Sequence, residues 1–130
     1  AIERLARVTA DVLKAMRLTE EVVVTSADPV CLGDLRWHAP DLRLGLIAKR
    51  YVPGFAATLR KMGVTFLALD YRRLSPAALA ECARHGVDVM AWTVNRLRDL
   101  ERLAAMPEPF LVCTNHPDRW LAAVRNQAGW

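Results

Sequence analysis

The residues of this chain best suited to chemistry stand where apolar runs end. The run Val87-Asp88-Val89-Met90-Ala91-Trp92-Thr93-Val94-Asn95 closes on a large indole and a carboxamide. An indole offers a flat apolar face and one N–H donor, so Trp92 can wall a pocket or, equally, plug a gap in a core. Lys49 and Arg50 follow another run, and their charges can clamp a phosphate or simply stand solvated. Ser26 and Thr114 carry hydroxyls able to bond phosphate or to cap the helices that follow them. Asp28, Asp70 and His116 come after three different runs and would share a rim, although no ligand spacing points to a metal there. His38 follows Trp37 in a short segment without a carboxylate at ligand spacing. His85 stands in a last helical turn, where the helix dipole accounts for it. Asn95 is expected to cap a helix from Arg96 to Ala105.

The elements that must position these residues repeat along the chain. Apolar runs that give way at once to polar residues begin at positions 22, 43, 65, 87 and 110: Val22 to Ser26, Arg43 to Ala48, Thr65 to Asp70, the Trp92 run, and Phe110 to Thr114. Such a pattern predicts five strands separated by helices. Helical crossovers make those strands parallel, and all their polar ends then lie at one end of the sheet. The clearest helix is Ser75 to Gly86, with Ser75 as cap, Pro76 at the first helical position and Gly86 as the stop. Leu79, Ala80 and Ala83 are expected on its inner face, with Glu81, Arg84 and His85 in water. Ile2, Leu5, Val8, Val12, Leu13 and Met16 read as the buried stripe of an opening helix. Further helices are expected over Pro53 to Met62, Val94 or Asn95 to Ala105, and Pro117 to Gln127, with a shorter one over Cys31 to His38. Pro29, Pro40, Pro53, Pro107 and Pro109 are read as lying in connections. An open doubly wound sheet and an arc of a (β/α)8 barrel both satisfy this plan.

Composition narrows the classes. The 130 residues are 53% hydrophobic, enough for one core and one domain over 1–130. No run approaches a bilayer span, and Ala1-Ile2-Glu3-Arg4 lacks the make-up of a signal peptide. The net charge of +4 comes from scattered arginines, which speaks against a nucleic-acid partner and for solubility or a small anionic ligand. Cys31, Cys82 and Cys113 show no paired or zinc-binding spacing, as expected of reduced thiols in a cytoplasmic protein. There is no glycine-rich phosphate loop, and Ser26-Ala27-Asp28-Pro29-Val30-Cys31 after the first strand is no dinucleotide fingerprint.

Several blocks resemble the glycerophosphodiester phosphodiesterase family. His85-Gly86-Val87-Asp88-Val89-Met90-Ala91-Trp92-Thr93-Val94-Asn95 is similar to its G-x-x-V-x-x-W-T-V-N segment, and Cys113-Thr114-Asn115-His116-Pro117-Asp118 to its closing T-D-x-P-D segment. Val23 to Pro29, followed by Ala39-Pro40 and Leu44-Gly45-Leu46, resembles the middle of the family, with Ala27 where a phenylalanine is usual and Asn115 where an aspartate is. The likeness runs from about Glu21 to Val124 and implies the last five strands of a TIM barrel. It also implies that Trp92 lines the pocket and covers the glycerol end of the substrate. Together with Ser26 and Lys49 it forms the expected substrate-binding set.

The family's His-Arg-Gly, Glu-x-Asp and Glu-x-Lys motifs, which supply its metal ligands and catalytic groups, have no counterpart in this sequence. Phosphodiester cleavage requires charge neutralisation on the phosphoryl oxygens and proton transfer to and from the reacting ones. No catalytic residue and no metal ligand is therefore assigned here; the calcium or magnesium belongs to the parent enzyme. Two functions are expected to compete: the C-terminal portion of such an enzyme, inactive alone and partnered by the missing N-terminal half or a second copy, or a non-catalytic truncated-barrel module for ligand binding or self-association.

Overall fold

The computed structural model describes residues 1–129; Trp130, the last residue of the expected domain, lies outside the described residues. Five strands form one sheet in chain order: β1 (Val23–Ser26), β2 (Arg43–Ala48), β3 (Phe66–Asp70), β4 (Asp88–Trp92) and β5 (Leu111–Val112). All four pairings are parallel. Each expected strand is found, trimmed by a residue or more at most ends. Among the described residues six α-helices alternate with them, α1 (Ile2–Ala15), α2 (Pro29–His38), α3 (Phe55–Lys61), α4 (Pro76–Arg84), α5 (Leu97–Ala104) and α6 (Pro117–Gln127), and a 3-10 turn over Tyr71–Arg73 follows β3.

Alternation along the strands gives the sheet two unlike faces. Val24, Leu44, Leu46, Leu67, Leu69, Val89, Ala91 and Val112 point to one side and join a single core with Leu32, Leu35, Leu59, Leu79, Leu100 and Leu103 of the helices. Thr25, Gly45, Ile47, Phe66, Ala68, Met90, Trp92 and Leu111 point to the other, where Ile47 is 38% and Leu111 58% exposed. Helices therefore cover one face only, as in an arc of a barrel and unlike a doubly wound sheet, which is covered on both. On the open face Gly45 is pressed between neighbours: a Cβ there would stand 2.9 Å from both Phe66 Cδ1 and Thr25 Cγ2.

Local chemistry explains most element ends. Ser75 Oγ accepts from Ala78 N at 3.1 Å, and Pro76 begins α4 as expected. Gly86 takes φ +67°, the left-handed turn that glycine adopts without steric cost. Pro29 proves to be the first residue of α2 and not part of a connection, because Asp28 caps that helix by accepting from Val30 N at 2.9 Å.

Three expectations about faces need correction. The stripe on α1 is not buried: Ile2, Leu5, Val8, Val12 and Met16 are 43–62% exposed, and the helix instead buries Ala6 and Ala10, with Leu13 partly buried against the core. Helix α1 packs on α2, and alanines on its buried face let two helices lie close. In α4 the inner face is Ala78, Leu79 and Cys82; Ala80 and Ala83 are exposed. Glu81 leaves the water to accept from Tyr51 Oη at 2.6 Å and from Gly54 N at 2.9 Å, tethering the start of α3 to α4. The Tyr51 hydrogen bond and those from the backbone hold the Glu81 carboxyl below its usual range. Burial, reinforced by the Glu81 carboxylate, pushes the Tyr51 hydroxyl far up.

Candidate functional site

Parallel pairing places every strand's C-terminal end on one rim, and two adjoining cavities open there. The first, about 550 Å³, is lined by Ala27, Ile47, Ala48, Lys49, Arg50, Val52, Phe55 and Trp92. The second, about 470 Å³, is lined by Lys49, Arg50, Asp70, Arg72 and Arg73. Lys49 and Arg50 form the wall between an apolar recess and a cationic cleft.

Trp92 ends β4 in register with Asp70 at the end of β3. Its ring also borders the open sheet face with Thr25, Ile47, Ala68 and Met90. The indole Nε1 is buried and has no hydrogen-bond partner among the described residues. A buried donor without an acceptor is costly, and a ligand oxygen beside it would remove that cost. Lys49 continues the alternation of β2 past Ile47, which brings it to the same recess as Trp92.

Ser26 sits apart from this pair. Its side of β1 is that of Val24, facing the helices, and its hydroxyl accepts from Asp28 N at 3.1 Å, bracing the turn into α2. Thr114 behaves similarly: Oγ1 accepts from His116 N at 3.0 Å and donates to Asn95 Oδ1 at 3.2 Å. Asn95 does not cap α5, which begins at Leu97 with no side-chain cap. Its Oδ1 also accepts from Asn115 N at 2.9 Å, and its backbone carbonyl accepts from Arg119 Nη1 at 3.0 Å. The carboxamide thus ties the loop after β4 to the loop after β5, and Trp92 stands three residues before that tie.

Asp70 is buried yet fully engaged: Arg72 donates Nε to Oδ1 at 3.0 Å and Nη2 to Oδ2 at 2.7 Å. That fork, more than the opposing effect of burial, holds the Asp70 carboxyl below its usual range. Asp28 is committed to its helix cap. No three His, Cys, Asp or Glu side chains among the described residues come together as a metal site, so this donor set does not fit a divalent cation. The sequence motifs missed Arg72 and Arg73; the adjacent arginines after β3 were the available signal, hidden among many others.

Comparisons with known proteins agree on one family. No protein-family model matches the chain. A glycerophosphodiester phosphodiesterase of Caldanaerobacter subterraneus subsp. tengcongensis is 28% identical over 114 residues, covering 87% of this chain and 46% of that protein. Among solved structures, one assigned as a glycerophosphoryl diester phosphodiesterase from Silicibacter pomeroyi superposes with a TM-score of 0.85 at 21% identity, over 98% of this chain and 45% of the other. A glycerophosphodiester phosphodiesterase from Parabacteroides distasonis gives 0.83 at 19% identity, over 98% and 52%. An Oleispira antarctica phosphodiesterase in complex with its product sn-glycerol-3-phosphate gives 0.78 at 14% identity, over 95% and 50%. The open five-stranded sheet is thus the architecture of part of a TIM barrel. In sequence and in fold the chain resembles the glycerophosphodiester phosphodiesterases, and it spans about half the length of the relatives it matches.

Proposed function

We propose that this chain is the C-terminal portion of a metal-dependent glycerophosphodiester phosphodiesterase, one domain that supplies a substrate-binding wall while the catalytic and metal-binding groups come from the N-terminal half of the barrel. The observation that carries this reading is the one-sided sheet with Trp92 and Lys49 on a shared recess at its C-terminal rim. In the assembled enzyme the indole covers the glycerol end of the substrate and Lys49 approaches the phosphate, while Ser26 acts through the turn it braces. Calcium or magnesium belongs to residues outside this chain. Three free thiols and no helix among the described residues long and apolar enough to cross a membrane fit a cytoplasmic setting.

Release of sn-glycerol 3-phosphate from glycerophosphodiesters tests the reading. The chain alone, with calcium or magnesium, is expected to give no turnover; mixed with the N-terminal half of a relative's barrel, it is expected to restore metal-dependent hydrolysis. Trp92→Ala is expected to weaken glycerol 3-phosphate binding about tenfold, the scale of losing one aromatic wall. Metal-dependent turnover by the chain alone would overturn the assignment of the catalytic groups, and unchanged binding by the variant would remove Trp92 from the pocket.

One observation favours a second reading, a non-catalytic module that associates with itself. The exposed α1 stripe and the open sheet face present apolar surface on two sides. On that reading light scattering at micromolar concentration gives a dimer; a clean monomer counts against it.

A further inference from the structure

The cationic cleft carries more charge than the proposed phosphodiester needs. It holds Lys49, Arg50, Arg72 and Arg73 against the single carboxylate of Asp70. That carboxylate is answered by Arg72. Lys49, Arg50 and Arg73 have no carboxylate within ion-pair reach among the described residues, and all three are exposed. They come from two loops, after β2 and after β3, whose positions are fixed independently: Glu81 tethers the start of α3 behind the first, and the Asp70–Arg72 fork shapes the second. Three cations held in one cleft repel one another, and a matching anion relieves that repulsion.

A glycerophosphodiester brings one negative charge. A phosphate monoester brings about one and a half to two more at neutral pH. Because the cleft shares Lys49 and Arg50 with the Trp92 recess, a diester lying across that wall would send its alcohol group toward Arg73. Building on the function proposed above, we propose that the cleft selects glycerophosphodiesters whose alcohol carries a second phosphate. The glycerol end stacks on Trp92, the diester meets Lys49 and Arg50, and the second phosphate meets Arg73 and the outer face of Arg72. Arginine suits that task because its fork can meet two phosphate oxygens at once. An alcohol bearing a quaternary ammonium group would meet like charge in the same place.

Amide chemical shifts of the chain, titrated at low ionic strength with glycerophosphoinositol 4-phosphate and with glycerophosphocholine, test the selectivity. The first ligand is expected to bind at least about tenfold more tightly and to shift the amides of Lys49, Arg50 and Arg73. The double variant R50Q/R73Q is expected to bring the two affinities within about twofold, and R73K to retain only part of the preference, since an ammonium keeps the charge and loses the fork. Raising the salt to about 0.3 M in the unsubstituted chain is expected to erode the ratio without relying on any variant. Equal affinities, a ratio that the substitutions leave intact, or silence of all three amides with both ligands would overturn the proposal. Hydrolysis by the two-part enzyme with no preference between the diesters would sink the cleft while leaving the proposed function standing. A charge-dependent preference in binding without restored hydrolysis would do the reverse.

Discussion

Replacing Arg36 with methionine is expected to lower the unfolding free energy by about 3 kcal/mol, the scale of losing hydrogen bonds from a charged donor and leaving their carbonyls unanswered. Arg36 reaches out of α2 to three backbone carbonyls: Nη1 donates to Pro40 O at 2.5 Å and Leu42 O at 2.9 Å, and Nη2 to Gly63 O at 2.6 Å. Those carbonyls belong to the approach to β2 and to the turn between α3 and β3, where regular structure offers no partner. Methionine keeps much of the stem's packing, so the loss isolates the guanidinium. Lysine is expected to recover only part of it, since a compact ammonium cannot serve three carbonyls spread across two turns. Urea unfolding of the three proteins is the measurement. A methionine variant within 1 kcal/mol of the parent would show that solvent serves these carbonyls as well as Arg36 does.

Gly45→Val is expected to cost about 2 to 3 kcal/mol, as overpacking does in a filled layer. The new Cβ would meet Phe66 Cδ1 and Thr25 Cγ2 at 2.9 Å, inside the distance at which carbons can rest. Phe66 is 9% exposed although it lies on the uncovered sheet face, because its ring uses the space over Gly45. Shortening the neighbour tests this directly: Phe66→Leu is expected to lose about 1 kcal/mol alone and to rescue part of the Gly45→Val defect when combined. Strict additivity of the two changes in thermal or urea unfolding would break the link between glycine and ring.

The strands were legible because each one ends abruptly in polar residues, a signal carried by neighbouring positions alone. Helices with complete punctuation were equally clear: Ser75, Pro76 and Gly86 mark the beginning and end of α4 by local chemistry. What periodicity could not convey is the partner. The α1 stripe recurs at helical spacing, yet the face that packs is made of alanines, which a hydrophobicity pattern hardly registers beside leucine and valine. Glu81 read as a solvated residue because its partners, Tyr51 and the backbone at Gly54, lie 30 and 27 positions away. Asn95 followed the same logic. A carboxamide ahead of a helix suggests a cap, and only the pairing of β4 with β5 brings Thr114 and Asn115 within its reach. Of the candidate site, Trp92 and Lys49 converge, while Ser26 turns to its own loop. The cationic cleft needed the fold, since Lys49 and Arg73 are far apart along the chain and meet only because β2 lies beside β3.

Strand order that repeats chain order bears on how the molecule is made. Among the described residues every β-strand finds its neighbour nearby in the sequence, as with Gly45 and Phe66 or Met90 and Leu111, so no pairing within this sheet waits for a distant segment. During synthesis each finished unit can dock on the one before it as it leaves the ribosome, and the growing edge is itself the template for the next arrival.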